Sequence, residues 1–235
     1  EPMKLDQSAA TLVVSLGCAL DFICAGQSFS SRSALLPPGI SLTLLPHEQT
    51  VAVCYLDPFG EDFCWLSAQF QQQRGAIFSD VCEEGELIAQ LTDLHRTTAA
   101  PDQVAAYLQR LISPSDEPTQ PRVIDPRIIS TVALIKADVS SNLTAEYLAQ
   151  QVGLSVPRLT QLFRETVGIP MRRYRQWHRL YVSTTRVAQG MSLTAASLEA
   201  GFADSAHFCN TFRSIIGMKP SKLLSQPERV RLFAG

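Results

Sequence analysis

Five arginines are interleaved with aromatic rings between Met171 and Gln189: Arg172, Arg173, Arg175, Arg179 and Arg186, with Tyr174, Trp177 and His178 among them. No acidic residue occurs from Thr166 to Leu198. Guanidinium groups are permanently charged forks of donors that match phosphate oxygens, so this run suits a polyanion. Covalent chemistry has no comparable set. Only His47 and His95 precede residue 121, too few for a protein-held transition metal, and neither a nucleophile–base pair nor a glycine-rich phosphate loop is present. His47, beside Pro46, reads as a turn residue. No catalytic residue, metal or cofactor is therefore expected, and the chain is not read as an enzyme. Cys18, Cys24, Cys54, Cys64, Cys82 and Cys209 form no C-x-x-C pair. They read as buried free thiols of a reducing cytoplasm, with redox sensing by one of the first five as the alternative.

The arginine run lies between two copies of one pattern. Leu143-Thr144-Ala145 matches Leu193-Thr194-Ala195, and Leu148 matches Leu198, at a spacing of fifty. Gly153-Leu154 matches Gly201-Phe202 at forty-eight. Leu159, Phe163-Arg164 and Gly168 match Phe208, Phe212-Arg213 and Gly217 at forty-nine, and Pro170 matches Pro220 at fifty. Each copy has the grammar of a helix-turn-helix. Thr144 and Thr194 are expected as caps of first helices, with Gly153 and Gly201 at the tight turns. Ser155 and Asp204 are expected to cap second helices, which Gly168 and Gly217 then stop. Leu159, Leu162 and Phe163 fall on the buried face of one second helix, and Phe208 and Phe212 on that of the other. Thr160, Gln161 and Arg164 fall outside in the first copy. Ser205, Ala206, Cys209 and Asn210 do so in the second, with Arg213 at the far end.

On these motifs, residues 127–225 resemble the paired helix-turn-helix domain of the AraC/XylS family of bacterial transcription regulators. The resemblance implies two recognition helices joined by a rigid long helix, entering successive major-groove segments about 34 Å apart. By position, it implies base contacts from Pro157, Thr160 and Gln161 and from Ser205, Ala206, Cys209 and Asn210. Phosphate contacts are expected from Arg158, Arg164, Arg172, Arg173, Arg175 and Arg213. An arginine often stands in the family where this chain has Gln161 and Asn210. Arginine favours guanine, whereas Gln and Asn pair with adenine N6 and N7, so adenine-containing positions are the expected targets. The implied partners are double-stranded DNA, RNA polymerase, a second copy of the chain bound through its N-terminal domain, and a small-molecule effector of unassigned identity.

The elements that must position these residues divide the chain. Ser113 to Pro121, SPSDEPTQP, cannot continue a helix or hold a central strand, and reads as a linker over 113–121. Residues 1–112 are expected to form a sensing or dimerising domain, and 122–235 the DNA-binding domain. Up to Pro121 the chain carries five basic and fifteen acidic residues; beyond it, fifteen basic and seven acidic. The net charge of −2 thus hides a balance of −10 beside one of +8, which places the polyanion-binding surface in the second half.

The N-terminal domain is expected to be α+β: strands over Ala10–Leu20, Asp21–Phe29, Ile40–Leu45 and Thr50–Leu56, then helices over Glu61–Gln73, Glu86–Thr97 and Asp102–Leu111. Ala34 to Pro58 resembles the cupin-like sensor domain common in the family, with so few strands that a partial barrel is expected. The last two helices would either cover this domain's own sheet or pack on a partner subunit. The C-terminal domain is expected to be all-α, opening with a helix over Asp125–Asp138. No run of eighteen apolar residues occurs, no cleavable leader pattern precedes Thr11–Cys24, and Glu1-Pro2 before Met3 reads as a tag remnant. Two other functions fit less of this pattern. One is a protein-interaction module whose acidic domain masks the basic one; the other is a metal-dependent cupin enzyme.

Overall fold

The computed structural model describes residues 2–60, 62–97, 99–112, 124–141 and 143–224. The chain forms two compact units, Glu1–Gln120 and Pro121–Gly235. The stretch read as a linker lies outside the described residues.

The first unit holds strands β1 (Met3–Asp6), β2 (Ala10–Ser15), β3 (Leu20–Cys24), β4 (Gln27–Ser31), β5 (Ser33–Leu36), β6 (Ser41–Leu45) and β7 (Val51–Leu56). Helix α1 (Asp62–Ser67), strands β8 (Phe70–Arg74) and β9 (Ile77–Val81), and helices α2 (Glu84–Arg96) and α3 (Pro101–Ile112) follow. The strands make a four-stranded sheet, β1-β6-β3-β4, and a five-stranded sheet, β7-β2-β5-β9-β8. Apolar side chains of both sheets share one core. Leu5, Leu20, Phe22, Leu42 and Leu44 of the first meet Val13, Ala34, Leu36 and Ile77 of the second. The opposite face of the five-stranded sheet, with Leu12, Val14, Leu35 and Leu56, is covered by Leu66 of α1 and Leu87 and Ile88 of α2. Tyr107, Leu111 and Ile112 of α3 pack against the same cluster. The helix pair therefore covers its own sheet, one of the two expected roles, because β2 and β5 are apolar on both faces.

The α+β class expected here is observed, with more strands than expected. The run Asp21–Phe29 is a hairpin: Cys24 pairs with Gln27 across Ala25 and Gly26, which take φ of +50° and +79° as a two-residue turn requires. Glu61–Gln73, expected as one helix, is helical only over α1; Phe70–Arg74 instead pairs with β9 across a turn at Gly75, φ +62°. β8 is an edge strand that is exposed along most of its length, so its Gln-rich sequence carries no alternating apolar signal. The cysteines also differ from expectation. All six are free thiols, but Cys18, Cys64 and Cys82 are exposed and the other three are partly exposed. His47 does stand in a turn, at φ +49°, with Nε2 2.6 Å from Asp21 Oδ2.

The regular elements among the second unit's described residues are all helices, as expected: α4 (Pro126–Ala137), α5 (Ala145–Gln151), α6 (Val156–Val167), α7 (Met171–Ala188), α8 (Leu193–Glu199), α9 (Ser205–Ile216) and α10 (Pro220–Leu224). Among the described residues no helix is long and apolar enough to cross a membrane.

Candidate nucleic-acid interface

Two helix-turn-helix units flank α7, and their turns are closed by the same bonds. In the first unit, Thr144 Oγ1 accepts from the Tyr147 amide at 3.1 Å and starts α5. Gly153, at φ +65°, makes the turn, and the Leu154 amide donates back to Ala149 O at 2.9 Å. α6 then runs between the flanking residues Ser155 and Gly168, and the Gly168 amide donates to Arg164 O at 2.9 Å. In the second unit, Ser192 Oγ accepts from Ala195 N at 3.3 Å, Gly201 turns at φ +80°, and Phe202 N donates to Ser197 O at 3.0 Å. Asp204 Oδ1 caps α9 through the His207 amide at 2.6 Å, and the Gly217 amide closes it on Arg213 O at 2.9 Å.

This pairing corrects the repeat register. The cap of α8 is Ser192, not Thr194, so first helices and turns correspond at a spacing of forty-eight: Thr144 with Ser192, Ala149 with Ser197, Gly153 with Gly201. The shared Leu-Thr-Ala triplet is two residues out of step. Leu148 is fully buried, whereas Leu198 is 55% exposed, and Ala196 fills the place equivalent to Leu148. Forty-nine holds for α6 against α9. Ser155 also differs from expectation: it stands at the helix start without a side-chain cap bond, and Pro157 in the first turn removes one amide that would need a partner.

The two second helices bury one face and expose the other. Leu159, Phe163 and Val167 lie inside α6, and Phe208, Thr211, Phe212 and Ile215 inside α9; Leu162 is only partly buried. Pro157, Arg158, Thr160, Gln161 and Arg164 are exposed on α6. On α9, Ser205, Ala206, Asn210 and Arg213 are exposed and Cys209 is partly so. Every residue expected to face bases therefore lies on a solvent-facing helix surface. Sequence reasoning passed over Glu165, whose Oε1 accepts from Gln161 Nε2 at 2.8 Å.

α7 buries Met171, Tyr174, Trp177, Leu180 and Ser183 on one stripe and packs against α6, α8 and α9. Tyr174 meets Phe163 edge-on at 5.7 Å between centroids. Its arginines are not equivalent. Arg172 is exposed and Arg173 partly so. Arg175, expected at a phosphate, is half-buried, and its Nη1 donates to Leu143 O at 2.6 Å. Arg179 donates from Nε to Val139 O at 3.1 Å and from Nη2 to Ser141 O at 3.3 Å. Burial lowers both guanidinium pKa values from the ordinary range, helped at Arg175 by the neighbouring charge of Arg179. These two side chains tie α7 to the loop between α4 and α5. The acceptors lie far away in sequence, so the spacing of the arginines carries no sign of them. Arg186 Nε meets Glu199 Oε1 at 3.0 Å and links α7 to α8 on the surface.

Residues 148–226 match a family model described as a helix-turn-helix domain. The arabinose operon regulatory protein of Escherichia coli (strain K12) is 34% identical over 87 residues, 35% of this chain and 28% of that protein. The HTH-type transcriptional regulator ArgR of Pseudomonas aeruginosa is 24% identical over 96 residues, 40% of this chain and 29% of that protein. The matches thus span under a third of the curated relatives' length. Similarity of fold extends further. ToxT from Vibrio cholerae O395 superposes with a TM-score of 0.60 at 14% identity, covering 96% of this chain and 93% of that one. ToxT from strain SCE256, solved with an unsaturated fatty acid bound, gives 0.58 at 14% identity, covering 100% and 96%.

Proposed function

We propose that the C-terminal unit, which matches a helix-turn-helix model over residues 148–226, is of the AraC type, and that the chain is a cytoplasmic, sequence-specific DNA-binding transcription regulator. α6 and α9 enter successive major-groove segments on one face of the duplex. Pro157, Thr160 and Gln161 meet bases in one segment, and Ser205, Ala206, Cys209 and Asn210 in the other. Gln161 and Asn210 favour adenine. Arg158, Arg164, Arg172, Arg173 and Arg213 hold phosphates. The observation that carries this reading is the duplicated bond pattern: two turns closed alike, each presenting an exposed, mostly small and polar helix face.

Selection of sites from random duplex DNA by the full-length chain tests it. The expected product is a bipartite site whose elements lie about ten base pairs apart, bound with strong salt dependence. Recovery of no common sequence, with no salt-sensitive binding, would overturn it.

The N-terminal unit is proposed as the controlling part. Its −10 balance beside the +8 of the rest favours an electrostatic brake on DNA binding, released by an effector or partner. Because a ToxT structure with the same fold holds an unsaturated fatty acid, a long-chain unsaturated carboxylic acid is the first effector probe. Binding would raise the chain's melting temperature and change its affinity for the selected site; a chain that responds in neither respect does not use this effector.

A further inference from the structure

Glu165 is badly placed for a residue of a DNA-facing helix. It is exposed in the last turn of α6, where the negative end of the helix dipole disfavours a carboxylate. It also brings a negative charge to a surface proposed to lie against phosphates, which lowers affinity for every sequence. Its contact with Gln161 offers a compensation. The two are one helical turn apart, and Glu165 Oε1 accepts from Gln161 Nε2 at 2.8 Å.

A carboxylate only accepts, so it selects the nitrogen end of the Gln161 amide and leaves Oε1 on the far side. Gln161 then presents an acceptor and its second N–H in a settled order. Adenine is the base whose major-groove edge offers one donor, N6–H, beside one acceptor, N7. An amide that is already oriented also loses less side-chain freedom on binding. The second unit lacks the device. At a spacing of forty-nine, Asn210 stands for Gln161 and Ser214 for Glu165, so the position one helical turn beyond Asn210 carries no carboxylate.

We propose that Glu165 is a positioning residue that orders the Gln161 amide for one adenine while weakening contact with DNA at large. This rests on the regulator reading above. The chain thereby trades affinity for selectivity at one position of the first half-element, and the corresponding position of the second is read less sharply.

The test compares full-length wild type, Gln161→Ala, Glu165→Ala and Glu165→Gln in site selection from random duplex DNA. Affinities are then measured on the selected site, on the same site with the assigned adenine replaced, and on an unrelated duplex. Wild type should discriminate about tenfold or more at the position that Gln161→Ala relaxes. Glu165→Ala should cut that discrimination to under about threefold and bind the unrelated duplex more tightly, since it removes a charge repelled by phosphate. Glu165→Gln, which loses the charge and whose amide can offer the Gln161 amide either an acceptor or a donor, should show the same gain on unrelated DNA and a discrimination between those of wild type and Glu165→Ala. A purely structural residue would not move selectivity and general affinity in opposite directions. Unchanged discrimination in Glu165→Ala, beside a clear effect of Gln161→Ala, overturns the positioning role and leaves the regulator reading intact. A wild type that selects no site overturns both. Thermal melts of each variant show whether a loss comes from unfolding.

Discussion

Gly201 and Ser140 meet backbone to backbone. A Cβ placed on Gly201 would lie 2.8 Å from the Ser140 carbonyl oxygen and 2.9 Å from its Cα. The turn of the second helix-turn-helix is thereby seated on the loop that leads into the first. Arg179 of α7 donates to the carbonyls on either side of Ser140, those of Val139 and Ser141. One short loop thus fixes the spacing between the two units.

Gly201→Ala should therefore cost more than Gly153→Ala. Both glycines have positive φ, which costs another L-residue about 1–2 kcal/mol. A Cβ on Gly153 meets nothing within 4 Å, whereas one on Gly201 forces backbone apart, adding on the order of 1–3 kcal/mol. Urea unfolding of the two variants measures the difference; equal losses would contradict the seating of Gly201.

The arginines should separate by salt dependence. Arg172→Ala and Arg213→Ala are each expected to lower the slope of log affinity against log salt by about 1, without a change in melting temperature. Arg175→Ala should leave the slope near wild type and lower the melting temperature, because it removes a charged hydrogen bond of about 1.5–3 kcal/mol. The reverse assignment would mean that Arg175 turns outward to phosphate.

Repeat register has its own test. Leu148→Ala should destabilise by about 2–5 kcal/mol, and Phe212→Ala by about 3–5, as cavities in a packed core. Leu198→Ala should stay within about 0.5 kcal/mol, since that side chain is already in solvent. Denaturant midpoints decide; a large loss at Leu198 would restore the fifty-residue spacing.

Acid should weaken the start of α4. Hydrogen bonds from the Arg127 side chain and backbone hold the Asp125 carboxyl at about 2, below its usual 3.8. The folded pKa lies below the unfolded one, so this contribution is present above about 3.8 and is lost as pH falls toward 2. Asp125→Asn should flatten the fall in melting temperature between pH 4 and pH 2. An unchanged profile would show that other carboxyl groups set the acid response.

Much of the second unit was legible from residues in a row. Caps at Thr144 and Asp204, turns at Gly153 and Gly201, stops at Gly168 and Gly217, and the burial of Leu159, Phe163, Phe208 and Phe212 are local choices. Dihedral preference and 3.6-residue periodicity write them into neighbouring positions. The sequence by itself also determined the opposed charges of the two halves, which need no fold to be counted. Tertiary structure decided what depends on partners distant in the chain. It set β8 at the edge of a sheet, where solvent erases the apolar alternation that marks a buried strand. It placed Ser192 rather than Thr194 at the cap, so that Ala196 and not Leu198 reached the core. And it turned Arg175 and Arg179 inward, because backbone carbonyls more than thirty residues away offered acceptors that no spacing on α7 could announce.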